Sequence, residues 1–231
     1  MTKSVSETLK RLDEQLRERY DPLGSVEGEN GAYETGHVPH VARYAYLCTR
    51  YAGLDDIGIR DAENEAERYI PETYKDLLRH MNGARVLGVS LLGGIGGSVD
   101  RSGVGIGQPI SIRYQNAVER PDYIPEGHLG FGAINGEWSS QGHLYLASTG
   151  EVELYNARLD MIGARWTSLL DFLEDEIPRR FSNYDEEGRE IEKSKRLPGD
   201  TENWERLAQE AKEEGASDGL LKRTLRRLHR K

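Results

Sequence analysis

The chain has 231 residues, of which 31 are lysine or arginine and 40 are aspartate or glutamate, giving a formal net charge of −9. Hydrophobic residues make up 36% of the sequence and charged residues 31%. This composition excludes a collagen-like, membrane-spanning or wholly disordered chain, and the acidic balance argues against a nucleic-acid binder driven by bulk positive charge. The charge is uneven: residues 1–177 hold 17 basic and 28 acidic residues, whereas residues 178–231 hold 14 and 12.

The only cysteine, Cys48, cannot form an intrachain disulfide, which fits a reducing compartment. The start, Met1-Thr2-Lys3-Ser4, is not followed by the apolar run of a secretory signal. No stretch approaches about eighteen consecutive apolar residues, the length that a spanning helix needs. We therefore expect a cytoplasmic protein.

The first half of the chain predicts helices. Ser4 and Glu7 have the spacing of a capping box, and a stripe of apolar residues follows at helical spacing up to Asp21-Pro22. Residues 24–37 are predicted to be a loop, and Pro39 to open a second helix that runs to Gly53. Two further helices are predicted at residues 59–68 and from Pro71 to Asn82-Gly83. The apolar face of the second helix would hold Val41, Tyr44, Leu47, Cys48 and Tyr51.

The second half of the chain predicts strands. Residues 85–92 form one β-branched, apolar strand, residues 93–107 form a loop with seven glycines, and residues 111–118 form a short helix opened by Ser111. Three strands at residues 128–134, 142–147 and 152–155 form an antiparallel meander, joined at Asn135-Gly136 and Thr149-Gly150. A closing helix at residues 166–177 stops at Pro178.

This order of elements predicts an α+β fold, in which N-terminal helices pack on an antiparallel sheet, followed by a closing helix and an extra C-terminal helical tail. Residues 1–178 form the predicted α+β domain. Residues 179–231 are predicted to be a charged linker and short amphipathic helices, and the last twelve residues hold six bases and no acid. This tail can dock on the body or on a partner, or bind a nucleic acid or an acidic membrane surface, and we favour docking.

The sequence contains no recognisable catalytic constellation. Gly94-Ile95-Gly96 and Gly105-Ile106-Gly107 both lack the third glycine of a dinucleotide-binding loop. His128 and His143 can face each other on neighbouring strands, but no further ligands complete a zinc site. Cys48 lies on an apolar face without an adjacent base. We therefore expect a non-enzymatic protein with no metal and no cofactor.

An ordered set of motifs extends along about half of the chain. The motifs are Glu63, Ile70-Pro71-Glu72-Thr73-Tyr74, Leu77-Leu78, Asn82-Gly83, Ile124-Pro125-Glu126-Gly127, Phe131-Gly132, Gly142-His143-Leu144-Tyr145-Leu146, Thr149-Gly150-Glu151-Val152 and Trp166-Thr167-Ser168-Leu169-Leu170-Asp171-Phe172-Leu173. Each motif by itself is a turn signal or a helix start, but in this order they resemble the SUKH superfamily, the Smi/Knr-type proteins. The tail after Pro178 is outside the pattern.

The resemblance implies a non-catalytic α+β domain that binds proteins. Many bacterial members of the superfamily are immunity proteins, or antitoxins, which neutralise a polymorphic toxin of the nuclease or deaminase type. Fungal relatives act as regulatory interaction proteins in cell-wall synthesis and signalling. We expect an immunity protein whose partner is a toxin domain, with a regulatory or scaffold protein as the alternative, and an enzyme with an unrecognised site as a third hypothesis.

We expect the partner to be bound by residues in turns beside the sheet. Such turns present side chains from a rigid scaffold, and aromatic residues contribute most to protein interfaces. Tyr123, Glu137 and Trp138 are the candidate partner-binding residues. The acidic body favours a basic protein surface as partner, through electrostatic steering.

Overall fold

A computed structural model describes residues 4–28, 31–94, 108–122, 124–134, 142–156, 161–191 and 198. The helices are α1 (Val5–Tyr20), α2 (Asp56–Ala66), α3 (Glu72–His80) and α4 (Leu169–Phe181). A 3₁₀ turn covers Asp21–Leu23 and a π-helical turn covers Tyr114–Val118. The strands are β1 (Ser25–Glu27), β2 (Tyr33–His37), β3 (Tyr46–Ala52), β4 (Met81–Val86), β5 (Val89–Leu91), β6 (Leu129–Ile134), β7 (Gly142–Leu146), β8 (Val152–Asn156) and β9 (Met161–Trp166).

Helix α1 forms as its sequence predicts. The Ser4 side chain accepts a hydrogen bond from the Glu7 amide at 3.2 Å, and the Glu7 carboxylate accepts one from the Ser4 amide at 3.0 Å. These bonds satisfy two amides that a helix start leaves without a partner. The buried stripe of Leu9, Leu12 and Leu16 joins the main core, so the interpretation of this stripe as core is confirmed.

The nine strands pair in sequence order, and every pair is antiparallel. One face of this sheet carries the apolar side chains that pack against α1, α3 and α4 in a single core. The predicted α+β fold, with N-terminal helices on an antiparallel sheet and a closing helix, is confirmed. The predicted C-terminal helices at residues 202–214 and 218–231 lie outside the described residues.

The predictions for residues 24–53 are wrong. Residues 25–27 and 33–37 are strands rather than loop, and residues 46–52 are strand β3 rather than part of a helix. Val41 and Tyr44, which the helical interpretation places inside, are 68% and 73% exposed in the connection before β3. The helical interpretation failed because the apolar residues of β3 fall at positions that one face of a helix would also bury. In the strand itself, side chains alternate between the two faces with period two.

Residues 81–92 form a hairpin instead of one strand. Leu87 and Gly88 both have positive φ, 50° and 83°, the combination that a tight hairpin turn requires. Asn82-Gly83 does not end a helix, because α3 stops at His80 and Gly83 lies inside β4. Gly83 has φ 77°, and a Cβ there would lie 2.8 Å from the Leu91 carbonyl oxygen.

The C-terminal half follows the prediction with three differences. Residues 114–118 form a π-helical turn rather than a short α-helix, and β9 was not predicted. Trp166 therefore belongs to β9, and α4 continues through Pro178 to Phe181. Residues 182–191 also contact the body, since Asn183 is buried and the Tyr184 carbonyl accepts a hydrogen bond from Arg19 at 2.7 Å. The division of the chain into domains at residue 178 stays a prediction.

Candidate protein-binding surface

The π-helical turn has a buried side and an exposed side. The Glu119 amide donates to the Tyr114 carbonyl at 2.7 Å, an i to i+5 bond that widens the turn. Gln115 and Asn116 are buried, whereas Tyr114 and Val118 are 48% and 58% exposed. Single π-helical turns are rare and occur often at functional sites.

The buried side of the turn is fastened to strand β6. The Asn116 side-chain amide donates to the carbonyl oxygens of Gly130 at 2.7 Å and of Ile112 at 2.8 Å, and its Oδ1 accepts from the Gly130 amide at 2.8 Å. Gln115 donates from Nε2 to the Gly132 carbonyl at 2.6 Å. Gly130 permits this approach, because a Cβ there would lie 2.6 Å from the Gln115 Cβ. The turn is therefore held rigidly on the sheet.

Arg68 connects this turn to the end of α2. Its Nε donates to the Asn116 carbonyl at 3.4 Å and its Nη1 donates to the Glu126 carbonyl at 2.7 Å. Arg120 donates to the Pro125 carbonyl in the same loop. Burial and the nearby Arg68 charge lower the pKa of the Arg120 guanidinium. The two arginines fix the loop of residues 119–128 through its backbone.

Three exposed residues are carried by these elements, and we call them the tyrosine surface: Tyr69, Tyr114 and Val118. Tyr69 is 69% exposed and directly follows Arg68. Its ring lies 4.9 Å from the Lys75 ammonium, an ordinary cation–π distance. Four exposed acidic residues lie in the same stretches of chain, namely Glu67, Glu119, Asp122 and Glu126, whereas Arg113 is the exposed base.

Glu67 holds an unusual backbone conformation next to this surface. It caps α2 with φ 54°, in the left-handed region that favours glycine or asparagine. Among the described residues other than glycine, Leu87 is the other example, and the β4–β5 hairpin turn accounts for it. The left-handed cap at Glu67 ends α2 directly before Arg68 and Tyr69, and so directs the chain into the loop that presents them.

The predicted partner-binding residues Tyr123, Glu137 and Trp138 lie outside the described residues. Asp122 and Ile124, on either side of Tyr123, belong to the loop held by Arg68 and Arg120. In the sequence, Glu137 and Trp138 fall between β6 and β7. The assignment of these three residues to partner binding stays a prediction.

His128 and His143, which the sequence allows to face each other on neighbouring strands, do not do so. His143 pairs with Ala133, whereas His128 precedes β6 and places its Nε2 3.5 Å from Glu153 Oε2. Within the described ranges, no group of three or more histidine, cysteine, aspartate or glutamate side chains could hold a metal ion. Cys48 is buried in the core, and burial raises the pKa of its thiol, which opposes formation of a reactive thiolate.

A small cleft lies between α1 and strands β2–β4, with a volume of about 40 Å³. Its walls are mainly apolar, including Leu12, Cys48 and Met81. Asp13 and Arg50 also line the cleft, and the Asp13 carboxylate lies 3.1 Å from the Arg17 guanidinium and 3.0 Å from that of Arg50. This space can hold about two or three water molecules, which is too small for a cofactor.

The two edges of the sheet are poorly suited to adding a partner strand. β1 has only three residues. β9 carries a bulge, since Ala164 pairs with Leu154 and Ile162 pairs with Tyr155, which leaves Gly163 without a pairing residue in β8. Short strands and bulges are the common ways of protecting a sheet edge. A partner protein is better accommodated by the loops and the π-helical turn.

Sequence patterns did not reveal the tyrosine surface. Tyr69, Tyr114 and Val118 belong to separate connections and share no periodicity, and the turn is set by hydrogen bonds of Gln115 and Asn116 to a distant strand. The available signal was the pair of polar residues, Gln115-Asn116, inside a stretch that otherwise suggests a short amphipathic helix.

Comparisons with known proteins identify no relative: no protein-family model, no curated protein and no solved structure matches the chain. In the part of the chain that the structure describes, no helix is long and apolar enough to cross a membrane.

Proposed function

We propose that this chain is a non-catalytic, cytoplasmic protein-binding domain of the SUKH type, specifically an immunity protein that binds and neutralises a toxin domain with nuclease or deaminase activity. The proposal that the chain binds a protein rests on the π-helical turn. Gln115 and Asn116 hold this turn on β6 by hydrogen bonds, while Tyr114 and Val118 remain exposed. The immunity role is supported by the ordered motifs that resemble the superfamily.

A rigid turn with exposed aromatic and aliphatic residues is suited to binding a protein. Tyrosine contributes a large contact area for a small loss of side-chain entropy, and it is enriched among residues that dominate interface energies. Because the turn is already held in place, binding does not have to pay for ordering its backbone. Tyr69 and Tyr114 are therefore the side chains most suited to act as anchors.

The charge of the surroundings favours a basic partner surface. Glu67, Glu119, Asp122 and Glu126 are exposed, and the chain as a whole carries a net charge of −9. A nuclease or deaminase that acts on nucleic acid needs a basic substrate cleft, because phosphates must be neutralised there. An acidic inhibitor is steered toward such a cleft and can occupy it in place of phosphate.

The test is binding between the purified full-length chain and the toxin domain encoded by the neighbouring gene. We expect an affinity that falls with salt, and a loss of about tenfold or more for Tyr114→Ala, as for an aromatic residue central to an interface. The control is Tyr44→Ala, which removes another exposed tyrosine, in the β2–β3 connection, with an expected change of less than about twofold.

Three results would contradict this proposal in different ways. If the wild-type chain neither binds nor protects against the neighbouring toxin, the immunity role is wrong. If the wild type captures a non-toxin partner and Tyr114→Ala abolishes that capture, the chain is a regulatory or scaffold protein instead. If Tyr114→Ala and Tyr44→Ala bind equally well, the tyrosine surface is not the interface.

A further inference from the structure

The last twelve residues of the chain, 220–231, lie outside the described residues and have no part in the proposed function. They hold six lysines and arginines and no acidic residue, and we call them the basic tail. Leu221, Leu225 and Leu228 follow at steps of four and three, so a helix would place them along one side with the bases around them. Such a segment binds where a surface offers both apolar side chains and negative charge.

One region of the body exposes most of the apolar side chains available for such a contact. Seven large hydrophobic side chains are exposed among the described residues. Four of the seven belong to α2, the chain that leaves α2 and the π-helical turn, namely Ile57, Tyr69, Tyr114 and Val118.

Two contacts show that α2 and the π-helical turn lie side by side. The Ser111 hydroxyl donates to Glu65 Oε2 at 3.3 Å, and Arg68 Nε donates to the Asn116 carbonyl at 3.4 Å. Asp61 precedes Glu65 by one helical turn, so it lies on the side of α2 that faces the π-helical turn. The exposed residues of the two elements therefore border one another, and we call this region the junction.

The junction carries an excess of negative charge. Residues 55–68, which comprise α2 and both of its ends, hold six acidic and two basic residues. Glu63 is paired with Lys75 of α3 at 2.9 Å. Asp61 and Glu67 are exposed, and within the described ranges they form no ion pair. The charge of these two carboxylates is therefore available to a basic segment.

Two other exposed regions of the described body offer one of these properties without the other. In the β2–β3 connection, Val41 and Tyr44 are exposed, but the charged residue beside them is Arg43. Residues 171–190 hold eight acids and three bases but none of the seven exposed hydrophobic side chains, the nearest of which is Ile191. Apolar exposure and negative charge coincide at the junction.

The length of the chain allows the basic tail to reach the junction. Residues 182–191 contact the body, and 30 further residues lead from Ile191 to Leu221. A flexible chain of this length spans about 30 Å, whereas a compact unit of about 190 residues has a radius of gyration of about 16 Å.

We propose that the basic tail docks on the junction of its own chain, with its leucines against Tyr69 and Tyr114. Its lysines and arginines then lie near Asp61 and Glu67. The apolar contacts supply affinity, and the charges select this surface over the others. The tail thereby covers the tyrosine surface, so a protein partner that binds there has to displace it.

The experiment attaches a nitroxide spin label to Ser217→Cys in the full-length chain and records the loss of amide NMR intensity relative to the reduced label. Cys48 is buried, so it does not compete for the label. We expect Tyr69 and Tyr114 to lose several-fold more intensity than the residues of the β2–β3 connection. This difference should shrink at high salt, which screens exposed charges.

Paired substitutions on the body test the role of its acidic residues. Asp61→Asn combined with Glu67→Gln should restore most of the lost intensity. The control, Glu186→Gln combined with Glu187→Gln, neutralises two exposed acids in the other acidic region and should leave the loss unchanged. All four side chains are exposed, so neither pair should disturb the fold.

The proposal is overturned if Tyr69 and Tyr114 keep their intensity in the labelled chain, or if the two pairs of substitutions have the same effect. It is also overturned if isotope-enriched chain without a label loses the same intensity when it is mixed with labelled chain, because the contact then lies between two copies. The experiment contains no toxin, so a failure here is distinct from a failure of the immunity role.

Discussion

Individual polar side chains hold the middle of the sheet together by bonding to backbone rather than to one another. The Tyr74 hydroxyl, which is fully buried, is 2.6 Å from the Leu92 carbonyl oxygen and 3.0 Å from that of Phe131. Asn82 binds Gly94 through both its amide and its carbonyl, at 2.9 and 2.8 Å. Buried backbone groups need such partners, so these residues fix where the chain leaves and re-enters the sheet.

His80, at the end of α3, makes the stability of the protein depend on pH. Its pKa is lowered below 6.5, mainly by burial, with the Arg50 charge acting in the same direction and Asp13 in the opposite one. The unfolded chain therefore binds more protons than the folded one between the folded-state pKa and 6.5. The contribution of His80 to stability is complete above that window and declines as the pH falls through it.

We expect His80→Gln to reduce the loss of stability between about pH 7 and about pH 5, because glutamine does not titrate. Urea unfolding at a series of pH values measures this loss. The exposed His40→Gln serves as the control and should retain the wild-type dependence. An unchanged pH dependence in His80→Gln would show that His80 is not the group responsible.

At the scale of elements, α4 contains a residue that helices usually exclude. Ser168 caps the start of α4 by accepting from the Asp171 amide at 3.1 Å. Pro178 lies inside the helix, which continues to Phe181. Proline lacks an amide hydrogen and interferes with the carbonyl four residues before it. Tertiary contacts nevertheless extend the helix, because Ile177 and Arg180 on either side of Pro178 are buried.

Replacing the exposed Pro178 by alanine should raise the free energy of unfolding by about 1–3 kcal/mol, since the new amide can donate to the Glu174 carbonyl and the steric conflict is removed. Urea unfolding provides the measurement. Pro125→Ala, in the loop of residues 119–128, should instead lower the free energy of unfolding. At that position the substitution mainly increases the conformational freedom of the unfolded chain. A destabilised Pro178→Ala variant would mean that proline is favoured at this position.

At the scale of the whole molecule, the C-terminal end of α4 ties the chain to the sheet through buried charges. Glu176 and Arg180 are both 0% exposed. Arg179 binds the Glu176 carboxylate with two hydrogen bonds, at 2.5 and 2.7 Å, and Arg180 donates to the Leu87 carbonyl at 2.6 Å. Buried charges are tolerated when they are paired in this way, and breaking such a pair is costly.

Residues 182–191 extend this anchorage, so we expect the folded unit to include them. A Cβ on Gly188 would lie 2.7 Å from a Val38 methyl group and 2.8 Å from one of Leu47, which shows how closely the segment packs on the β2–β3 hairpin. A chain truncated after residue 181 should lose about 2–5 kcal/mol of stability relative to one truncated after residue 198. Equal thermal unfolding midpoints would place the boundary of the folded unit before residue 182.

The elements whose signals are local follow from the amino-acid sequence alone. The capping box of α1, the helices around residues 59–66 and 72–80, the meander β6–β8 and the α+β class all follow from spacing, caps and turn residues. These signals act within a few residues. They therefore predict the same element in any tertiary structure that buries the apolar side of that element.

The remaining features depend on contacts between distant segments of the chain. Strands β2 and β3 form because they pair with each other and with β4. The spacing of Val41, Tyr44 and Cys48 wrongly predicts a helix, because the helical and strand periods cannot be told apart over so short a stretch. The tyrosine surface unites residues that are distant in the chain. Gln115 and Asn116 acquire their role from the backbone of β6, because hydrogen bonds between distant segments depend on contacts that no local pattern encodes.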